Sequence, residues 1–294
     1  MTKMHKNEFP IDEALVHQLI SKQFPHWANL SLKTVSSAGT DNALYRLGSD
    51  KLVRLPRVDW AVLNVGKEFE WLHKIAPFLS VSIPLPLEKG KPTKEYPWPW
   101  TVFNWLEGSN PVVGQVPEIL LHDLIVFIQA LHKIDLPNGP QCNRGVPLEE
   151  KDIKTRKAIR QLEEIDTQTV IKLWERALKA PKWSKPAVWM HGDLSPGNLL
   201  VKNHRLISVI DFDNLGIGDP ACDLIIAWNL LPAHMRGIFR FGLDVDEATW
   251  ERGRGWALSN AVIALPYYKD TNPILANNAR HVIQELIQDY QSSI

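Results

Sequence analysis

The sequence predicts an α+β protein of two lobes: a small N-terminal lobe with an antiparallel sheet and a larger, mainly helical C-terminal lobe. Three observations carry this prediction. Short strand-like segments dominate up to residue 106, the turn-rich segment "EGSNPVVGQVP" follows as a linker, and helical periodicity prevails after it. We therefore expect one lobe at residues 1–107 and a second, helical lobe at residues 108–294.

The first lobe begins with a predicted amphipathic helix at residues 12–24, where Leu15, Leu19 and Ile20 share one side. Strand-like segments follow within residues 31–58, and the turn "GSD" at 48–50 joins the last two as a hairpin. Residues 59–79 return to helical spacing. Two further extended segments, one in the proline-rich stretch "SIPLPLEKG" and one at "TVFNWL", complete the predicted sheet.

The second lobe is predicted to be helical with one embedded hairpin. Residues 117–134 predict a helix that begins at Pro117 and carries one apolar stripe. Residues 149–180 predict a pair of charged helices, and two more helices are predicted at 246–265 and 273–291. Between these, "LLVKNHRLISVIDFD" predicts two short strands around a turn at "KNHR".

Composition narrows the classes of function. Lysine plus arginine and aspartate plus glutamate number 33 each, so the net charge of zero indicates no nucleic-acid partner. Every apolar run is too short to span a bilayer, and the N-terminus lacks a signal-peptide core, so we expect no membrane association. Cys142 and Cys222 lie far apart in the sequence, which favours a reducing, cytoplasmic location. The sequence gives no prediction of oligomeric state.

One short loop concentrates polar groups. "MHGDLSPGN" at residues 190–198 holds Asp193 and Asn198, and Asp211 lies at the far end of the predicted hairpin that starts from this loop. Because a hairpin brings its two ends together, the three side-chain oxygens can converge. Two of them would suit Mg²⁺ and the third group would orient an attacking hydroxyl, which is what phosphoryl transfer requires. The alternative is ordinary turn and cap chemistry, since Asp and Asn favour turns.

"HGDLSPGN" followed by "VIDFD" and "GIGDPACDL" resembles the catalytic core of the aminoglycoside phosphotransferase family, which includes macrolide phosphotransferases and has a protein-kinase-like fold. The protein-kinase pattern is His-Arg-Asp, then an Asn five residues after the Asp, then Asp-Phe-Gly. Here Gly192 replaces the arginine and Asp213 replaces the final glycine. Both replacements are typical of the small-molecule branch. The resemblance covers roughly residues 30–265.

The resemblance implies a role for each polar residue of this region. Asp193 would be the catalytic base that accepts or orients the proton of the acceptor hydroxyl. Asn198 and Asp211 would hold Mg²⁺ against the phosphates of a nucleotide. His191 would be structural and hydrogen-bonded to nearby backbone, and Asp223 would brace the loop from within the helical lobe.

The resemblance also implies that residues 108–294 carry the catalytic loop and the acceptor site, and that residues 1–107 form a nucleotide-binding lobe. Arg54 in "KLVRLPR" stands where kinase relatives have a lysine that contacts the α- and β-phosphates. Arginine keeps the positive charge but presents it as a broader fork. Glu68 is expected to pair with Arg54, and Glu70 is its rival. The ordinary alternative for Arg54 is a salt bridge at the edge of a strand.

Further nucleotide contacts are implied by position in the family pattern. Gly39 in "SSAGTDNALYRL" stands where a glycine-rich phosphate loop would lie, although this segment has no G-x-G-x-x-G. Backbone groups of Asn104 and Leu106 in "TVFNWLEG" would bond the purine edge, and Phe103 would lie behind it.

Together these features predict an ATP- or GTP-dependent phosphotransferase that uses Mg²⁺ and moves the γ-phosphoryl group to a hydroxyl of a small molecule. The acceptor is left open among aminoglycosides, macrolides, choline, homoserine, sugars and lipid-like alcohols. The alternative is a non-catalytic nucleotide- or metabolite-binding relative of the same fold. The presence of a base and both metal ligands in the sequence favours the enzyme.

Overall fold

The computed structural model describes residues 7–36, 39, 41–141, 143–163 and 165–292. Its contacts divide the chain into two compact units. The first holds the described residues up to Pro77 together with Ser82–Glu107, and the second holds Phe78–Val81 together with the residues from Gly108 onwards. Cys142 and the first six residues, on which part of the signal-peptide expectation rests, lie outside the described residues. The functions predicted for residues 1–107 and 108–294 stay predictions.

The first unit contains a five-stranded antiparallel sheet and two α-helices. The strands are β1 (Leu32–Thr34), β2 (Asn42–Leu47), β3 (Lys51–Pro56), β4 (Pro86–Gly90) and β5 (Trp100–Asn104), and the helices are α1 (Glu13–Gln23) and α2 (Val62–Ile75). The strand order β1-β2-β3-β5-β4 places β3 at the centre. The predicted antiparallel sheet is confirmed, and β2 and β3 are joined by the predicted hairpin turn at residues 48–50.

Alternating burial along β3 explains why Arg54 faces away from the core that α1 covers. Val53 and Leu55 are fully buried in this core, against apolar side chains of α1 such as Leu19. Because successive residues of a strand point to opposite faces, Arg54 lies on the other face of the sheet. That face also receives Glu68 of α2, which meets Arg54.

The second unit is mainly helical and contains two pairs of short antiparallel strands. Its helices are α3 (Glu118–His132), α4 (Asp152–Ile159), α5 (Thr167–Lys179), α6 (Ile226–Asn229), α7 (Ala233–Gly242), α8 (Glu247–Tyr268) and α9 (Pro273–Gln291). The strands β6 (Val188–Met190) and β9 (Gly216–Gly218) form one pair, and β7 (Leu199–Lys202) and β8 (Arg205–Val209) form the other. Within the described ranges, every helix is too short or too polar to cross a membrane.

A buried ion pair joins α8 to the segment that precedes α6. Arg252 donates from Nε to Asp219 Oδ2 at 2.6 Å and from Nη2 to Oδ1 at 3.1 Å. Arg252 also donates to the carbonyl of Pro181, and Asp219 accepts from the backbone N–H of Ala221 at 3.0 Å. Both side chains are almost fully buried. The additional hydrogen bonds offset the cost of removing two charges from water.

The structure adds elements that periodicity did not predict. The strands β6 and β9 are three residues each, which is too short for an alternating pattern to be visible. Helix α7 begins directly after Pro232, where the sequence shows only the end of an apolar run. The predicted helix at 246–265 continues as α8 to Tyr268, with Pro266 in its last turn. The other predicted helices and the hairpin around "KNHR" are confirmed.

Replacing Arg252 with methionine leaves the Asp219 carboxylate buried without its cation. We expect R252M to lower the free energy of unfolding by about 3–5 kcal/mol, because an uncompensated buried charge costs more than the pair contributes. Urea denaturation measures this change. R156M is the matched control, because Arg156 pairs with Asp152 on the surface of α4, and its loss should stay below about 1 kcal/mol. Equal stabilities of the two variants would contradict the prediction.

Candidate active site

The loop that carries Asp193 connects β6 to β7 in the second unit. A single helical turn at Pro196–Asn198 leads into β7. Leu194 is fully buried, and its carbonyl accepts from Nδ2 of Asn229 at 2.9 Å. The side chain of Asp193 is 36% exposed. The loop is thus anchored directly beside Asp193, while the carboxylate of Asp193 stays accessible.

Asp223 holds the start of this loop through its carboxylate. Oδ1 accepts from the backbone N–H of Gly192 at 2.8 Å, and Oδ2 accepts from the backbone N–H of His191 at 3.1 Å. Nε2 of His132, on α3, lies 3.0 Å from Oδ2. The Asp223 side chain has no exposure to solvent, so these partners compensate its burial. The predicted role of Asp223 as a brace of the loop is confirmed.

His191 is fully buried, and its two ring nitrogens bond to the backbone of Asp193 and of Ile210. Nδ1 accepts from the backbone N–H of Asp193 at 3.2 Å, so this nitrogen carries no proton. Nε2 lies 3.0 Å from the carbonyl of Ile210 and donates to it. Burial lowers the pKa of His191 below its ordinary value, although Asp223 and Asp193 act in the opposite direction. The predicted structural role of His191 is confirmed, with a neutral ring.

Gly192 adopts a backbone conformation that other residues rarely adopt. Its φ is +78°, and a Cβ at this position would lie 2.6 Å from the carbonyl oxygen of Asn214. Glycine is therefore required twice, for the left-handed backbone and for the space. This explains why the arginine of the protein-kinase pattern is absent at position 192.

The hairpin returns the chain from Asn198 to Asp211. Asn198 Nδ2 donates to the carbonyl of Asp193 at 2.9 Å, and the carbonyl of Asn198 accepts from the N–H of Ile210 at 2.9 Å. Asp211 follows directly, with left-handed dihedral angles of 65° and 66°. Asp is among the few non-glycine residues that adopt this region. The structure thus links Asp193 to Asn198 and brings the backbone beside Asp211 to Asn198.

Asn198 and Asp211 offer an amide oxygen and a carboxylate, and these are the hard donors that Mg²⁺ takes. Among the residues that the structure describes, no three His, Cys, Asp or Glu side chains gather into a metal-binding group. Asn198 and Asp211 are the residues that would hold Mg²⁺ if it binds here. The roles of Asn198 and Asp211 as ligands, and of Asp193 as base, stay predictions.

Sequence reasoning missed Arg144, which lies beside Asp193. Arg144 Nη2 is 3.5 Å from Asp193 Oδ1, and the Arg144 side chain is 24% exposed. Arg144 belongs to the segment "NRGVP", which has no periodicity or known motif. Only the three-dimensional arrangement brings this cation to the loop.

In the first unit, Arg54 is held by two other side chains. Arg54 Nη1 donates to Glu68 Oε1 at 2.7 Å, and Glu68 is almost fully buried. The expected rival, Glu70, pairs instead with Lys74. With the side-chain amide of Asn42 turned so that its oxygen faces Arg54, Asn42 Oδ1 accepts from Arg54 Nη2 at 3.0 Å and from Nε at 3.1 Å. The Arg54–Glu68 pair is present, and its contact with a nucleotide stays a prediction.

Asn42 was not singled out from the sequence, although its position was accessible to reasoning. The hairpin at 48–50 places Leu44 opposite Arg54, and Asn42 is two residues away on the same face of β2. Such diagonal neighbours lie within reach of a long side chain. The register of the hairpin was therefore the signal for this contact.

The remaining predicted nucleotide contacts lie at the end of β5 and before β2. The N–H of Asn104 donates to the carbonyl of Leu85, and its Oδ1 accepts from the N–H of Leu85 at 2.6 Å. Because the backbone N–H of Asn104 is already bonded within the sheet, a backbone contact with a purine would come from its carbonyl. Leu106 is half-buried and Gly39 is exposed. The residues around Gly39 at 37, 38 and 40 lie outside the described part of the chain.

The neutral state of His191 predicts a dependence of stability on pH. In the folded state, the pKa of His191 lies below its ordinary value of 6.5, so the ring takes up a proton only at lower pH. As the pH falls through 6.5, the unfolded state therefore binds more protons than the folded state does. The stabilisation that His191 contributes is fully present above pH 6.5 and declines below it. We expect the free energy of unfolding of the native chain to fall more steeply between pH 7.5 and pH 5.5 than that of H191Q, by up to ~1.4 kcal/mol per unit. Urea denaturation at both pH values measures the difference, and parallel profiles would contradict it.

Similarity to known proteins gives the family of the chain. A model of the phosphotransferase enzyme family matches residues 33–256, more than half of the chain. The chain is 29% identical to the aminoglycoside 3′-phosphotransferase of Escherichia coli over 137 residues, which cover 43% of this chain and 51% of that relative. The chain thus spans about half the length of the curated relatives that it matches.

Solved structures share the fold over nearly the whole chain. The GDP and kanamycin complex of APH(2″)-IIia has a TM-score of 0.74 at 17% identity and covers 94% of this chain and 99% of its own. The macrolide 2′-phosphotransferase MphH from Brachybacterium faecium has a TM-score of 0.62 at 19% identity, with coverages of 92% and 97%. The predicted two-part, kinase-like α+β fold is confirmed by these neighbours. The match to the family model adds the membership itself: this chain belongs to the phosphotransferase enzyme family.

Proposed function

We propose that the chain is a small-molecule kinase that transfers the γ-phosphoryl group of ATP or GTP to a hydroxyl group, with Mg²⁺ bound. The observation that supports this most directly is the loop at residues 190–198. Asp223 and His191 hold its backbone by hydrogen bonds, and the carboxylate of Asp193 stays partly exposed. Membership in a phosphotransferase family supports the type of reaction.

In the proposed reaction, Asp193 acts on the acceptor. The acceptor oxygen forms a bond to the γ-phosphorus, and its proton passes to the Asp193 carboxylate. The bond between the γ-phosphorus and the bridging oxygen breaks, which releases ADP or GDP. Catalysis of this type depends mainly on positioning and electrostatic stabilisation. A base whose backbone is hydrogen-bonded to a buried histidine meets the first of these needs.

Each unit, taken by itself, offers residues that we propose for nucleotide binding. Arg54, oriented by Glu68 and Asn42, supplies a fixed positive charge for the α- and β-phosphates. Asn198 and Asp211 would hold Mg²⁺, which neutralises charge on the phosphate oxygens when bound. The backbone of Asn104 and Leu106 would contact the purine edge, and Gly39 would contact the phosphates.

The acceptor is proposed from the family. The curated relatives are aminoglycoside 3′-phosphotransferases, and the solved neighbours include an aminoglycoside phosphotransferase with kanamycin and a macrolide 2′-phosphotransferase. Aminoglycosides and macrolides are therefore the first acceptors to test. Choline, homoserine, sugars and lipid-like alcohols complete the panel, because family members can share a phosphate-handling site and differ in the acceptor.

Replacing Asp193 with alanine tests the proposed reaction. We expect D193A to lower kcat by about 10²–10⁴-fold, because the group that orients the hydroxyl and takes its proton is lost. Binding of Mg²⁺–ADP, measured by titration calorimetry, should stay close to that of the native chain. D270A, at an exposed aspartate, is the control and should keep native turnover. A native chain that binds nucleotide and consumes none with any acceptor would favour the non-catalytic alternative.

Replacing Asp211 with asparagine tests the proposed metal ligand. Asparagine tolerates the left-handed backbone at this position, so the substitution mainly removes charge. We expect the Mg²⁺-dependent part of ADP binding to weaken by at least about tenfold. Titration calorimetry with and without EDTA isolates that part. Identical Mg²⁺ dependence in D211N and the native chain would exclude Asp211 as a ligand.

A further inference from the structure

Residues 136–141 and 143–147, called the strap below, lie against the strands that lead into and out of the active-site region. The carbonyl of Leu136 accepts from Nε1 of Trp189 on β6 at 3.1 Å. The carbonyl of Pro140 accepts from the N–H of Ile217 on β9 at 3.0 Å, and that of Gly145 accepts from the N–H of Asp219 at 2.9 Å. Several hydrogen bonds to β6, β9 and the residue after β9 therefore fix the strap.

The position of Arg144 within the strap is fixed by close packing on both sides. Gly145 has a φ of +71°, and a Cβ there would lie 2.4 Å from Cε of Met190. A Cβ at Gly192 would lie 3.3 Å from Cβ of Arg144. The strap thus packs directly on the catalytic loop, and the stem of Arg144 starts beside Gly192. The backbone N–H of Asp219 donates to the carbonyl of Gly145, the residue after Arg144. The side chain of Asp219 is itself held by the buried Arg252.

The guanidinium group of Arg144 contacts one oxygen of the candidate base. Nη2 lies 3.5 Å from Asp193 Oδ1. A planar guanidinium orients a carboxylate more strongly than a lysine ammonium does, because its donors point in fixed directions. Because Oδ1 is the oxygen that faces Arg144, we expect Oδ2 to be the oxygen that meets the acceptor. The contact therefore favours one orientation of the Asp193 carboxylate.

We propose that Arg144 is a positioning residue of the active site: it holds Asp193 Oδ1 so that Oδ2 receives the proton of the acceptor hydroxyl. This inference rests on the proposed function. As the acceptor oxygen bonds to the γ-phosphorus and ADP or GDP leaves, the proton moves to Oδ2. Arg144 contributes no atom to the reaction. Its effect is confined to the geometry of the transfer step, so it acts on kcat and leaves nucleotide binding unchanged.

The test uses the full chain and an acceptor on which the native chain is active. We expect R144M, which keeps the stem and removes the cation, to lower kcat by about tenfold or more. The KM for ATP and the affinity for Mg²⁺–ADP should stay within about twofold of the native values. R144K should recover part of kcat, and millimolar guanidinium should do the same for R144A. R156M, at the surface ion pair of α4, is the control and should keep native kcat.

A double-substitution cycle gives a second readout. If the contact exists in solution, the shifts in urea midpoint caused by R144M and D193N should not add in the double variant. Native kcat in R144M, or additive shifts, would overturn the inference and leave the proposed function intact. Loss of activity that neither lysine nor guanidinium restores would also overturn it, by assigning Arg144 to folding alone. A native chain that consumes neither ATP nor GTP with any acceptor would overturn the proposed function and this inference together.

Discussion

The buried carboxylate of Asp223 accepts hydrogen bonds from two backbone N–H groups of the loop at residues 190–198. These groups belong to His191 and Gly192, directly before Asp193. A buried N–H without an acceptor costs about 1–3 kcal/mol, so these two hydrogen bonds favour the observed path of the loop. The candidate base, the amide of Asn198 and the return of the hairpin to Asp211 all follow from this path. The position of Asp193 therefore depends on Asp223, which contacts no reacting atom in the proposed reaction.

Arg54 shows a related use of a positioned group in the first unit. A lysine on β3 would supply the same charge, but it has no fork to share between Glu68 on α2 and Asn42 on β2. The guanidinium instead connects two strands and a helix on the face of the sheet away from the main core. The arginine thus has a structural function in this chain in addition to the proposed contact with phosphates. The change from lysine to arginine in the family pattern is accompanied by a partner that suits it.

Much of the fold was predictable because its elements are long enough to show a period. The helices α1, α2, α3, α8 and α9 and the hairpin of β2 and β3 all follow from apolar spacing and turn residues. Strands of three residues show no period, so the pairing of β6 with β9 was missed. Asp193, Asn198 and Asp211 could be proposed from the sequence because they follow a fixed spacing. Arg144 was missed because it reaches the loop from a distant segment through tertiary packing.

Gly192 and Arg144 together have a consequence for engineering. In protein kinases an arginine side chain starts from the position that Gly192 occupies, whereas here the adjacent space contains the carbonyl of Asn214 and the stem of Arg144. If a protein-kinase catalytic segment replaced residues 190–198, its arginine side chain would collide with the carbonyl of Asn214 and the stem of Arg144. It would also add a second cation beside Asp193, where Arg144 already lies. Redesign of the candidate active site would therefore better begin with the strap.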